Sequence, residues 1–466
     1  MRVVVWSIFN AFVVALAVTL VGCGSHKQDP GGNGDGMQPD VCSGPSCDAA
    51  RCQAMGKPVT AVTGTVFAPN GTLPLFGINV YVPGSDPGPL PDGVQCTRCT
   101  GALPGNPIVA TISDDAGHFA LAGIPAGDNI PIVITSGKWR KRLVIPHVDA
   151  CTEQPLPAAD TTLPRDQTEG ELPRIAITTG MADSLECLVR KLGIADTEIT
   201  TDRHAGHVHL YAGTLGKDRF KVGFPGGSGQ AFSDAQTLWG NLDKLLHYDI
   251  VMFSCEGAPY ADTKPQAAMN AVKAYADRGG RLFVSHWHNV WIEGSYDTGQ
   301  TQKPAVWPAI ARWTNNGMEL ASHSSSRIDE LGNPKGPAFA TWMMNVGGST
   351  VRDHIELVDQ LPDPQTNEIA STGRTTCSAV DPAKAERWVY LPDQGRGTQN
   401  FQFTTPNEAA AEQRCGKVVF SDMHVSGTSG DGDYPDSCGT GRALTPQEKA
   451  LAFMFFDIAS CVDVLL

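Results

Sequence analysis

The sequence predicts a multidomain protein in which a small all-β sandwich precedes an α/β domain built on a parallel sheet, and two patterns carry that prediction. Between residues 59 and 151, runs such as Val62-Thr63-Gly64-Thr65-Val66-Phe67 and Ile78-Asn79-Val80-Tyr81-Val82 are separated by Gly, Pro and Asn turns, as strands with one buried face are. From residue 172 onward, short apolar runs alternate with helical stretches, and that rhythm implies crossovers between parallel strands. With 466 residues, 41% of them hydrophobic, the chain can build two or three cores. Its net charge of -14 argues against a nucleic-acid partner, which would need a basic face.

The chain opens with a short positive end, Met1-Arg2, and an almost unbroken apolar run over residues 3–21 that closes as Leu20-Val21-Gly22-Cys23. This closing stretch resembles the bacterial lipobox. The resemblance implies a signal peptide over residues 1–22, cut before an acylated Cys23, and a soluble body held to the membrane through a lipid anchor. A plain membrane-spanning anchor is the alternative, since the run just reaches span length. The residue after Cys23 is Gly24 rather than Asp, so nothing resembles an inner-membrane retention signal. The expected location is the outer membrane or cell surface of a Gram-negative bacterium. Lipidation of Cys23 leaves an even number of the 13 cysteines, as pairing in an oxidising compartment requires.

Residues 23–58 are rich in Gly, Pro and polar side chains and have little to bury against the entropy of ordering, so a flexible stalk is expected. Cys42, Cys47 and Cys52 recur there at equal spacing. With no fourth ligand nearby they read as disulfide partners rather than as a zinc site.

The sandwich follows over residues 59–151. Its stretches GTVFAPNGTLPLFGINVYV and ATISDDAGHFALAGIPAG, with Gly64, Val66, Pro74, Gly77, Asp114, Gly117, Phe119, Pro125 and Gly127 in place, resemble the carboxypeptidase regulatory-like, or transthyretin-like, family. This chain departs from that pattern by an insertion carrying Cys96-x-x-Cys99. The pair lacks the strand-to-helix context of a redox motif and the second pair of a zinc site, and is expected in disulfides to the stalk cysteines or to Cys151. The basic run Lys138-Trp139-Arg140-Lys141-Arg142 would suit an anionic glycan or lipid headgroup; the expected reading is a strand whose alternate residues lie at the surface.

A Pro- and Asp-rich linker, residues 152–171, leads into the α/β domain, residues 172–466. Its first strand, Arg174-Ile175-Ala176-Ile177-Thr178-Thr179-Gly180, is followed by Asp183-Ser184, which should cap the helix LECLVRKLG. Later come VHLY, YDIVMF, the helix PQAAMNAVKAYADRGG and the strand LFV, which ends in Ser285-His286-Trp287-His288. Function in such sheets sits at the carboxyl ends of the strands.

The order YDIVMFSCEG, helix, RGGRLFVSHWH and, much later, GKVVFSDMHVSG resembles class I glutamine amidotransferase-like domains, most of all the trehalose-utilisation branch, and implies a flavodoxin-like fold interrupted by an insertion over about residues 294–397. Carried over by position, residues 254–257 would form the oxyanion loop. His286 would stand in place of the nucleophilic cysteine, His424 would match the histidine, and Val425-Ser426 would replace Pro-Glu. The thiol and the acid of the triad are absent, so glutamine hydrolysis by that route is not expected. Cys255, one loop earlier, continues an apolar strand and is expected to be oxidised, with Cys187 as the suggested partner, rather than catalytic.

The spacing His286-x-His288 and Asp422-x-His424 places each pair on one face if both segments are extended. Converging at the carboxyl edge, the four would offer ligands for a divalent metal such as zinc, with Glu256 as fifth ligand or general base and His286 and His424 as catalytic groups. The plainer alternative has both histidines hydrogen-bonded within their loop and Trp287 and Trp291 packed under the insertion. A third reading makes Trp287, Trp291, Trp307 and Trp313, beside Asn289 and Glu293, a carbohydrate platform. His204, His207 and His209 form a further cluster, with only the last two on a common strand face. The expected function is a non-catalytic surface lipoprotein that binds a glycan or protein partner; the alternative is a metal-assisted hydrolase of carbohydrate or amide bonds.

Overall fold

Alternation between buried and exposed positions builds the first two sheets. Strands β1 (Ala61–Thr65), β2 (Asn79–Pro83), β3 (Pro107–Ile112), β4 (His118–Ala122), β5 (Gly127–Ser136), β6 (Trp139–Val148) and β7 (Glu153–Pro155) form a four-stranded sheet in the order β3-β2-β5-β6 and a three-stranded sheet in the order β4-β1-β7. Val62, Val80, Val82, Phe119, Leu121, Ile132 and Ile134 fill the core. The turn that carries the chain from β3 in one sheet to β4 in the other has a physical signature: the Asp114 carboxylate accepts N–H bonds from Ala116 and His118. Gly117 turns there at φ +76°, where a Cβ would lie 2.7 Å from Pro74.

These coordinates are a computed structural model, and it describes residues 45–294, 304–307, 309–314, 320, 324–358, 373–392, 397–425, 432–438 and 443–462. Cys23 and the apolar leader lie outside them. Ser43–Leu466 make one compact unit. Within the segment expected as a stalk, Pro45–Ala54 form a helix, and Cys52 is bonded to Cys151. Among the described residues no helix is long and apolar enough to cross a membrane.

The second half is organised by one large sheet. Its members are β8 (Ile175–Thr178), β9 (Ile199–Thr200), β10 (Val208–Ala212), β11 (Ser233–Asp234), β12 (Ile250–Phe253), β13 (Arg281–Ser285), β15 (Ser324–Ile328), β16 (His354–Leu357), β18 (Glu386–Tyr390), β19 (Thr398–Thr405) and β20 (Gly416–Ser421); β14 (Ala311–Trp313) pairs with β17 (Cys377–Val380) apart from it. Five neighbours, β10-β8-β12-β13-β20, are parallel. Beyond β20 the sheet continues antiparallel through β19, β18, β15 and β16, so the segment expected as an insertion lengthens the sheet. Four of them, β8, β12, β13 and β20, are buried along their whole length, as strands covered on both faces must be. The helix Pro446–Ala459 opens with a capping box between Thr445 and Glu448. Its Phe455 and Phe456 pack on Trp139 of the sandwich, ring centroids 5.4 Å away.

Three cations of the basic run are ion-paired within the protein. Lys138 pairs with Asp249 at 2.6 Å, the buried Arg140 donates to Glu171, and Arg142 joins the same carboxylate at 2.8 Å. Lys138 and Arg140 lie largely out of solvent and are paired there, while Arg142 keeps 44% of its side chain exposed. The insertion after β2 crosses to the second half. Cys96 bonds Cys415 and Cys99 bonds Cys461, neither to the stalk nor to Cys151. Cys187, expected opposite Cys255, bonds Cys438 instead, and Cys255 and Cys377 stay reduced and buried. Thiol labelling of the denatured, unreduced protein should therefore modify Cys255 and Cys377. Label on any of the eight bridged cysteines would overturn this pairing.

Candidate functional site

The backbone turns sharply where β13 ends. Ser285 lies opposite Ser421 of β20, so the two following loops leave the sheet at one level. His286 takes a left-handed φ of 41°, an unfavourable conformation for a non-glycine residue, and opens a short 3-10 helix, His286–Asn289. That turn defeats the expectation that His286 and His288 share a strand face. His288 points inward: its Nε2–H donates to the Ser254 carbonyl at 2.8 Å, its Nδ1 accepts from Trp291 Nε1 at 2.9 Å, and both ring nitrogens are thereby satisfied. Burial drives its pKa down to about 3 even with Glu256 nearby.

Asp422 also turns away from the expected ligand set. Its Oδ2 accepts the backbone N–H groups of Thr376 at 2.8 Å and Cys377 at 3.0 Å, anchoring β17. Glu256 is occupied by Lys264, at 2.5 Å with both side chains at most 1% exposed, and by the Thr214 N–H. The residue that does join His286 and His424 is Cys255. The imidazole rings lie 5.1 Å apart, and Cys255 Sγ is 3.3 Å from His286 Nδ1. One ligand atom from each of the three falls within 4.8 Å of the others. Cys255 follows β12 by two residues, so the trio comes from the loops after three adjacent parallel strands.

All three are nearly inaccessible, at 0, 1 and 3% exposure for Cys255, His286 and His424. Burial, aided by His424 and Arg374, holds His286 far below the usual histidine range, and burial takes His424 down to about 3. Burial likewise pushes the Cys255 thiol up to about 12, against N–H groups of Trp287 and Gly257 that favour the thiolate. The trio is a neutral thiol between two neutral imidazoles. Neither His286 Nε2 nor His424 Nε2 has a partner among the described residues.

Asp183 holds the edges together and escaped sequence reasoning, which made it a helix cap. Ser184 occupies the N-cap position without a side-chain cap bond. Asp183 instead accepts from the N–H groups of Val425 and Ser184, each at 3.0 Å, and from Ser285 Oγ. It thus ties the residues beside His286 and His424 to the loop after β8. Its position directly beyond the first parallel strand was the available signal, since carboxyl-edge loops carry function.

The carbohydrate platform is not assembled. Trp291 is fully buried between Trp239 and Phe253, and Trp307 is buried with its Nε1 on Thr405. Asn289 is buried and donates to Glu293. Trp287, beside His286 at 4.7 Å, keeps part of its ring exposed, and Glu293 and Trp313 are also partly exposed. The other histidine cluster is structural: His207 donates to the Leu172 carbonyl, His209 bonds Tyr248 and the His204 carbonyl, and His204 bonds Gln230.

Glu186, behind Asp183, gives a pH prediction. Burial, reinforced by Asp183, pushes it up to about 8. The folded state then keeps a proton that the unfolded chain releases near pH 4.3, so this group lowers stability as pH rises from about 4 to about 8. Glu186→Gln should flatten that slope by about 1.4 kcal/mol per pH unit in urea unfolding between about pH 5 and 7. An unchanged slope would mean that the native carboxyl is already ionised.

No protein-family model matches the chain, and no curated protein matches it. Among solved structures, a ThuA-like protein from Bacteroides uniformis is similar at 13% identity and a TM-score of 0.29, over 61% of this chain and 90% of that one. A cytoplasmic protein from Salmonella typhimurium is similar at 11% identity and a TM-score of 0.26, over 61% and 98%. A cohesin–X-dockerin complex from Acetivibrio cellulolyticus is similar at 14% identity and a TM-score of 0.16, over 31% and 80%. Scores this low carry no functional weight.

Proposed function

We propose that this chain is an exported lipoprotein, tethered through Cys23, whose α/β half is a hydrolase of carbohydrate or amide bonds working between His286 and His424. One observation carries the reading: two buried imidazoles converge at the carboxyl edge with their Nε2 atoms unpaired. A buried polar group without a partner costs roughly 1–3 kcal/mol, and such groups persist where function uses them. Neutral imidazoles accept a proton, and Asp183, its own pKa pushed up to about 7 by burial, positions the loops that bear them. The strand order β10-β8-β12-β13-β20, second-first-third-fourth-fifth along the chain, supports a flavodoxin-like reading of this half. The Asp114–Gly117 turn supports a transthyretin-like reading of the sandwich.

Hydrolysis of a panel of glycosides and N-acyl amides tests the reading. One class should be cleaved, and His424→Ala should lower the rate about 10²-fold or more while His209→Ala leaves it unchanged. A metal-replete, folded protein inert toward both classes would overturn it. A non-catalytic role, binding a glycan or protein partner, is the second reading, favoured by the partly exposed Trp287 at the same edge.

Four disulfides support export to an oxidising compartment, and the lipobox-like stretch supports the anchor. Cys23→Ala should move the protein from the membrane fraction to the soluble fraction. A variant that still sediments with membranes would remove the anchor from this account.

A further inference from the structure

We propose that Cys255, His286 and His424 bind one divalent cation of the zinc class, with a fourth coordination position left for water. The inference rests on reading this edge as the working site, and it replaces the ligand set that the sequence spacing suggests. In a tetrahedral zinc site with Zn–S about 2.3 Å and Zn–N about 2.0–2.1 Å, ligand atoms stand roughly 3.4–3.6 Å from one another. Cys255 Sγ and His286 Nδ1 are already 3.3 Å apart, and the whole trio lies within 4.8 Å. Closing the site from that spread asks for a shift of about an ångström, and among the described residues His424 Nε2 has no competing partner to give up.

Donor chemistry selects the ion. One sulfur and two imidazole nitrogens form a borderline-soft set that suits zinc and rejects calcium and magnesium, which require oxygen. Three protein ligands are the number found in catalytic zinc sites, where the fourth position stays open. Binding exchanges the Cys255 S–H bond for a metal–sulfur bond and releases one proton to solvent, while the imidazoles enter neutral. The setting also gives a role to a thiol that stays reduced beside four disulfides. Each ligand stands just past the end of one of three adjacent parallel strands, a rigid support of the kind that a metal site needs.

The test uses the full chain, stripped with a chelator and titrated with zinc and separately with cobalt. Elemental analysis should find one zinc per chain, and the cobalt form should show a thiolate charge-transfer band in the near ultraviolet. Cys255→Ser should abolish that band. His424→Ala should weaken zinc binding by about 100-fold, and Cys377→Ser should change neither. Where a ligand variant fails to fold, the stoichiometry and cobalt spectrum of the unaltered protein decide on their own. Absence of stoichiometric metal, or a band that survives Cys255→Ser, would overturn the site. A loaded protein with the expected spectrum but no hydrolytic activity would instead leave the metal site standing and remove the hydrolase reading.

Discussion

Lys264→Met should lower the stability of the folded body by about 3–5 kcal/mol, the largest effect expected of a single substitution here. Lys264 and Glu256 face each other at 2.5 Å, with side chains 0 and 1% exposed. Lys264 also donates to the Pro259 carbonyl at 3.0 Å and lies over the Trp239 ring. Burial alone would raise the Glu256 pKa, but His288, Lys264 and the Thr214 N–H hold it below the usual carboxylate range. Removing the ammonium leaves a carboxylate in an apolar pocket with little water to replace its partner. The double change Lys264→Met with Glu256→Gln should recover much of the loss, because neither charge is then left alone. Urea denaturation of the parent and the two variants checks this. A single variant within about 1 kcal/mol of the parent would mean that water already reaches the pair.

His424→Leu should change sign with zinc, the second large effect. Without metal, leucine replaces a buried ring nitrogen that has no partner, and stability should stay level or rise by about 1 kcal/mol. With free zinc at about a thousand times its dissociation constant, the parent gains roughly 4 kcal/mol from binding that the variant loses. Thermal unfolding with and without the ion reads both arms. A variant equally destabilised in each would make His424 a packing residue.

Much of the architecture was legible because it rests on local periodicity. Residues such as Val80, Tyr81 and Val82 announce a sheet, and the three runs ending at Phe253, Ser285 and Ser421 announce buried parallel strands. The meeting of His286 with His424 follows from the same reasoning, as both lie just past neighbouring strand ends. The ligand set failed where a strand pattern was extended beyond its strand. At His286 the backbone passes into a left-handed turn and a helix, so alternation stops and His288 swings into the core. Cys255 looked like one more apolar strand residue, since nothing in its neighbours reveals a ring from the next strand against its sulfur. The disulfides were illegible for a different reason: Cys96 and Cys99 find partners 319 and 362 residues away, a choice made by the docking of two halves.

The bridge from Cys52 to Cys151 gives the molecule a mechanical property. Tension applied to the amino-terminal end arrives at the helix Pro45–Ala54 and meets the disulfide before it reaches β1. The covalent bond carries the load directly to residue 151, so strands β1 to β6 lie on the bypassed stretch between residues 53 and 150, which the bonds of Cys96 to Cys415 and Cys99 to Cys461 also pin to the second half. Strand β7, just past Cys151, stands in line with the pull, and drag or shear on the body would be borne chiefly by covalent bonds and the large sheet.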